Sequence, residues 1–171
     1  AGAASVLRSL SLPKPLSFRI IDIDDTPGVV DELQAAGMNL NSVPWCPGAF
    51  YTDGASRPLL RQTQSWIDGK LFMQSISSMA AAMALAVKPG MHVLDLCAAP
   101  GGKTAMLGCH QEGSGVLLAN DRSRSRLRSL RDVLAQHRIS HAELSCRPGE
   151  SFGGTHRDCF DRVLVDAPCS G

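Results

Sequence analysis

VLDLCAAPGGKTAML, from Val93 to Leu107, decides how this chain is read. Apolar residues flank an aspartate, small residues and Pro-Gly-Gly follow, and a lysine opens a second apolar run. That order describes a buried strand, a tight turn and the start of a helix. Downstream the pattern repeats: GVLLAND reads as a strand and RSRLRSLRDVLAQHR as a helix. HAELSCR and DRVLVDAP follow as two more strands. Near-continuous apolar strands separated by helices predict an α/β fold, with a parallel sheet covered on both faces. Just upstream, SISSMAAAMALAV predicts a helix with Met79, Met83 and Leu85 on its apolar face, stopped by Lys88-Pro89-Gly90.

The first 68 residues differ in character. Six prolines punctuate them, at positions 13, 15, 27, 44, 47 and 58. SFRIIDI predicts a strand, GVVDELQAAGM a short helix from about Val29 to Ala36 ended by Gly37, and SVPWCPGAFY an extended aromatic-bearing segment. The expected organisation is a small α+β subdomain over residues 1–68 and a Rossmann-like domain over 69–171.

Bulk properties set limits. The chain has 171 residues, 44% of them hydrophobic, and a formal net charge of +1, which suits one domain with a small appendage. No run of about 18 apolar residues occurs, so no membrane partner is expected. Six cysteines without CxxC spacing, and five histidines without ligand spacing, predict no metal site and a reducing compartment. Residues 1–21 carry Arg8, Lys14 and Arg19, several serines and no acid. They read either as the end of an organellar transit peptide or as an ordinary lead-in.

In a doubly wound sheet the ligand sits outside the carboxyl ends of the strands, and the first strand-to-helix turn is the favoured place. Here that turn is CAAPGGK, Cys97 to Lys103. Small side chains admit a ligand to the backbone, and free N–H groups of the following helix suit a carboxylate or phosphate. The dinucleotide pattern GxGxxG is absent. GGKT lacks the earlier glycine of a Walker loop, which opposes a nucleotide-binding protein built on it. Asp121 ends the next strand, 20 residues beyond Gly101, where such folds bind a ribose diol. Ribose recognition without a pyrophosphate loop points to a nucleoside cofactor such as S-adenosylmethionine. Asp121 reads equally well as a cap for the helix that follows.

Taken together, VLDLCAAPGGKT, LAND…SR and DRVLVDAPCSG closely resemble the RNA (cytosine-5)-methyltransferases of the RsmB/Nop/Sun type. SFRI, VPWCPGAFY and GKLFMQSISSMAAAMAL resemble that family's small N-terminal subdomain and entry helix. The resemblance covers about 150 of the 171 residues. It implies a class I methyltransferase sheet, which here stops after four of the usual seven strands. It implies S-adenosylmethionine as cofactor and RNA, ribosomal or transfer, as partner, with ribosomal or assembly-factor proteins beside it. The expected place is intracellular, in the cytoplasm or the mitochondrial matrix.

The resemblance also assigns residues. Cys97, Ala98, Ala99, Pro100, Gly101, Gly102 and Lys103 would cradle the methionine part of the cofactor. Asp121 would take the ribose hydroxyls, and Arg126 would lie near the cofactor. Asp166 would touch both the cofactor side and the target cytosine, and Cys169 would assist product release. Carbon 5 of cytosine is a poor nucleophile until a thiolate adds to carbon 6. An acid such as Asp166, sharing a proton with ring nitrogen 3, stabilises that adduct, and Lys103 is a cation able to favour a thiolate. The target base must leave any stack.

Two features depart from the family. Pro148 stands where an aspartate usually meets the adenine amino group, a loss of roughly 1–3 kcal/mol unless a group such as Glu150 replaces it. The family's nucleophile belongs to a later Thr-Cys motif, so residues 1–171 alone are not expected to complete the reaction. The competing expectation is a methyltransferase-like module that binds RNA or ribosome-assembly intermediates without catalysis.

Arg122, Arg124, Arg126, Arg128, Arg131 and Arg138 crowd one helical stretch. They read as phosphate contacts or as a solvated outer face, with Leu127, Leu130 and Leu134 turned inward. Trp45, Phe50 and Tyr51 read as base-stacking groups or as packing of the small subdomain. Cys97 is read as a small loop residue, and the cysteines at 46, 109, 146 and 159 as ordinary thiols.

Overall fold

A computed structural model describes Gly2 and residues 14–167. The chain divides into two compact units between Ser75 and Ile76.

The first unit is a four-stranded antiparallel sheet with helices. Its strands are β1 (Leu16–Ile20), β2 (Asn41–Ser42), β3 (Ala49–Thr52) and β4 (Leu71–Met73), in the order β2-β3-β1-β4. Its helices are α1 (Thr26–Ala35), α2 (Arg57–Leu60) and α3 (Gln64–Ile67). Alternate residues of β1, Leu16, Phe18 and Ile20, enter a core with Val29, Leu33 and Leu60. The opposite face of β1 is buried but polar. Ser17 Oγ donates to the Gln74 carbonyl at 2.7 Å, and Arg19 Nε donates to Gln74 Oε1 at 2.9 Å.

Helix α1 begins three residues before the sequence expectation because Pro27 falls in its first turn, where a missing N–H costs nothing. Gly37, at φ +87°, ends it as expected. The expected entry-helix stretch after Gly69 instead contains β4, which pairs with β1 through Phe18↔Met73 and Arg19↔Phe72. That pairing carries the unit boundary from residue 68 to Ser75.

The second unit contains α4 (Ile76–Ala84), β5 (His92–Asp95), α5 (Gly102–His110), β6 (Val116–Asn120), α6 (Arg126–Gln136), β7 (Ala142–Ser145), α7 (Phe152–Thr155) and β8 (Arg162–Leu164). Helix α4 stops at Ala84, so Leu85 lies past its end rather than on its apolar face. Met79 and Ala82 are its buried residues. The four strands are parallel and run β7-β6-β5-β8. Leu130 and Leu134 of α6 are buried against Ala98, Ala105 and Ala119, and Leu127 packs at the margin. The amphipathic reading of α6 therefore holds. Strand order reverses at β5: β6 and β7 lie on one side and β8 on the other. The carboxyl end of β5 is thus the switch point, where a crevice for a ligand opens.

Candidate active site at the switch point

The turn after β5 is held from below. Asp95, 1% exposed, accepts the Thr104 hydroxyl on Oδ2 at 2.7 Å. Its other oxygen, Oδ1, is buried without a hydrogen-bond partner among the described residues. Burial pushes the carboxyl up to about 6, against the opposing pull of Thr104, the Cys97 N–H and Lys103. The turn passes through a cis Ala99–Pro100 bond to Gly101, at φ +119°. A Cβ there would lie 2.9 Å from Leu130 Cδ1, so this position needs glycine twice over. The Gly101 carbonyl accepts from Ala105 N at 2.8 Å and starts α5. The first N–H groups of that helix are left to face the turn.

Asp121 is 2% exposed and fully engaged. Its Oδ1 accepts from Ser123 N at 2.9 Å, and its Oδ2 accepts from Ala99 N at 3.3 Å. Arg126 Nη1 pairs with Oδ2 at 3.2 Å, while Nη2 donates to the Ala99 carbonyl. Asp121 therefore closes the turn before α6 and ties it to the CAAPGGK turn. The N-cap of α6 is Ser125, so the expected helix cap is displaced.

Across the switch point, Lys103 Nζ donates to Asp166 Oδ2 at 2.6 Å. The Asp166 side chain is 54% exposed, and the Lys103 side chain 19%. Two motifs 63 residues apart meet here because β5 and β8 are neighbours in register, Asp95↔Leu164. Cys97 lies in the same turn. Burial raises its thiol, and the charges of Asp95, Asp121 and Asp166 raise it further against Arg126, so it is poorly suited to be a nucleophile. Cys169 lies outside the described residues. The other expected site residues stand on the turn: Ala98 and Ala99 are buried, and Gly102 is the first residue of α5.

The sequence reading assigned no role to Asp95, Thr104 or Asn120. Asn120 Nδ2 donates to the Leu96 and Arg147 carbonyls, both at 3.0 Å, and its Oδ1 accepts from Arg147 N at 3.0 Å. It thereby fixes the loop that carries Pro148. The available signal was a polar residue ending each of two apolar strands, where an unpaired group would be costly. Pro148 and Glu150 are both exposed, and Pro148 caps a short 3-10 turn, Gly149–Ser151. Gly149 packs against Leu96. Of the aromatics, Phe50 stacks on Phe18 with centroids 6.2 Å apart, which is packing, whereas Trp45 is 45% exposed.

A parallel sheet with its turn, acid and lysine at the switch point defines the class I methyltransferase architecture. Residues 82–171 match the family model of the 16S rRNA methyltransferases RsmB/F, and the chain belongs to that family. It is 35% identical, over 96% of its length, to the ribosomal RNA small subunit methyltransferase F of Erwinia tasmaniensis. It is 39% identical, over 93% of its length, to the 26S rRNA (cytosine-C(5))-methyltransferase nsun-1 of Caenorhabditis elegans. It covers 36% of the first relative and 24% of the second, so it spans about a third or less of their length. A methyltransferase homolog from Pyrococcus horikoshii superposes with a TM-score of 0.79 at 31% identity, over 96% of this chain and 53% of that one.

Proposed function

We propose that this chain carries the cofactor-binding part of an S-adenosylmethionine-dependent methyltransferase acting on carbon 5 of cytosine in RNA, with ribosomal RNA as substrate. The observation that carries the reading is the meeting of Lys103 and Asp166 beside the CAAPGGK turn. The turn fits the cofactor. Its side chains are small, its glycine is sterically required, and free N–H groups start α5. The orphaned Asp95 oxygen beneath the turn is an acceptor in want of a donor.

When bound, S-adenosylmethionine supplies an electrophilic methyl group. The rest of the work falls to the protein. The turn from Cys97 to Gly102 receives the amino-acid end. Asp121 takes the ribose hydroxyls once Arg126 releases its Oδ2. Asp166, with Oδ2 held by Lys103 and Oδ1 unengaged by any described residue, meets the cytosine ring and shares its proton at nitrogen 3. In the route we propose, a cysteine thiolate adds to carbon 6 and leaves after the carbon-5 proton is removed. In this reading that thiolate belongs to a Thr-Cys motif separate from Cys169, and Cys169 assists release. Work on ribosomal RNA places the protein in the cytoplasm or the mitochondrial matrix, near ribosomal or assembly proteins.

Pro148 supports a second reading, an RNA-binding module that has lost the cofactor, because it offers no side-chain acceptor at the loop Asn120 holds. Calorimetric titration with S-adenosylhomocysteine separates the two. The first reading expects saturable binding, weakened about 10- to 100-fold in Asp121→Asn, the worth of a hydrogen bond to a charged group. Absence of binding at millimolar ligand, with RNA still bound, selects the second.

A further inference from the structure

We propose that Arg124, Arg128 and Arg131, with Arg122 beside them, form a surface for the phosphate backbone of the RNA substrate. The inference rests on the reading above that the chain acts on RNA. Residues 122–131 hold five of the chain's 17 basic residues and none of its 16 acidic ones, with buried Asp121 before them and exposed Asp132 after, which leaves the remainder of the chain acidic. A merely solvated helix face mixes both signs. Of the five, Arg126 is exposed but engaged, with Asp121 and the Ala99 carbonyl. The other four are exposed, and no described residue pairs with their guanidinium groups.

Position makes this arrangement costly to the free protein. Arg124 precedes α6, and Arg128 lies in its first turn, at the positive end of the helix dipole, where cations are disfavoured. Arg124 and Arg128 are also like charges at i, i+4. Such a local conflict is expected where function, not stability, selects the residues. Arg128 and Arg131 lie one turn apart on α6, and Arg124 sits in the turn that leads into it, closed by Leu127 N–H on the Ser123 carbonyl at 3.2 Å, so the three form a short ridge. The ridge starts three residues after Asp121, at the edge of the candidate cofactor site. A line of forked, permanently charged donors suits the repeated phosphates of a polynucleotide.

The test follows anisotropy of a labelled single-stranded RNA with the 171-residue chain across a salt series. Replacing all three ridge arginines by glutamine is expected to lower the slope of log K against log salt by about 2, since each neutralised phosphate contributes about 0.7. The triple lysine variant is expected to keep the slope, and single Arg131→Gln to lower it by about 0.7, the share of one phosphate. An unchanged slope in the glutamine variant, no RNA binding by the parent chain, or equal binding of polyglutamate overturns the proposal. Titration with S-adenosylhomocysteine is run in parallel. Binding that persists while the slope is unchanged removes only the arginine surface. A changed slope without cofactor binding removes only the methyltransferase reading.

Discussion

Replacing Asp95 by asparagine isolates the cost of the carboxyl buried beneath the CAAPGGK turn. The folded carboxyl is raised from 3.8 to about 6, chiefly by burial. The folded protein therefore holds this proton more tightly than the unfolded chain does. Stability from the neutral acid is fully present below the unfolded value, and is lost as pH rises through the folded one. A shift of about 2 units corresponds to roughly 3 kcal/mol in all, of which about 2 kcal/mol falls between pH 4.5 and 7.5. Asparagine keeps an acceptor for Thr104 and carries no charge at any pH. Its amide adds a buried donor whose cost does not vary with pH, so the informative quantity is the difference between variant and parent across pH. Both tryptophans, Trp45 and Trp66, lie in the first unit, so the second is followed by far-ultraviolet circular dichroism in urea. The expected result is that Asp95→Asn gains on the parent by about 2 kcal/mol between pH 4.5 and 7.5. A difference that stays flat over that range would falsify the assignment of a carboxyl raised by burial.

Two further substitutions probe the two units separately. Gly101→Ala forces a Cβ to 2.9 Å from Leu130 Cδ1 at φ +119°. It is expected to cost about 1–3 kcal/mol and to weaken S-adenosylhomocysteine binding, by thermal melt and calorimetry; an unchanged melting temperature counts against the tight turn. Glu32→Gln removes the carboxylate that accepts from Gln64 N at 2.5 Å, from Ser65 N and from the Ser65 hydroxyl, which caps α3. The Ser65 hydroxyl leads in holding Glu32 below its usual range, so its contribution is present above the unfolded value of 4.5 and is lost as pH falls through the lower folded one. Trp66 fluorescence is expected to report a loss of about 1 kcal/mol at pH 7, the usual worth of a cap, that shrinks as pH falls below 4.5; a loss that stays constant with falling pH contradicts it.

The second unit was the more legible half because its information is local. Four apolar strands end at small or polar residues, and each junction falls within a few residues of its motif. Lys103 and Asp166 were legible as residues, but their meeting depends on β8 joining β5 on the side away from β6. Asp95 was illegible as a strained acid. Its state depends on Thr104 returning from the next helix, and on a burial that no spacing displays. In the first unit, α2 and α3 have four residues each, too few for a periodic signal. Thr63 caps α3 locally, but the N–H groups of Gln64 and Ser65 are met by Glu32, more than thirty residues upstream. Strand β4 was hidden because LFM is too short to separate from the alanine-rich helix that follows it.

Burial sorts the acids at this end of the sheet by the work they can do. Asp95 is sealed under the turn and serves its shape. Asp121 is equally buried, yet the Arg126 side chain paired with it is 46% exposed. In the proposed function, a ribose diol at Asp121 takes the place of a guanidinium, whose charge lies a few residues from the arginine ridge. Asp166 alone keeps an open carboxylate, anchored by one oxygen and offering the other. Proton exchange with an incoming base requires such a group, so the proposed function assigns the chemistry to the β5–β8 side of the sheet. It assigns cofactor recognition to the β5–β6 side, and the order reversal at β5 sets the one turn between the two.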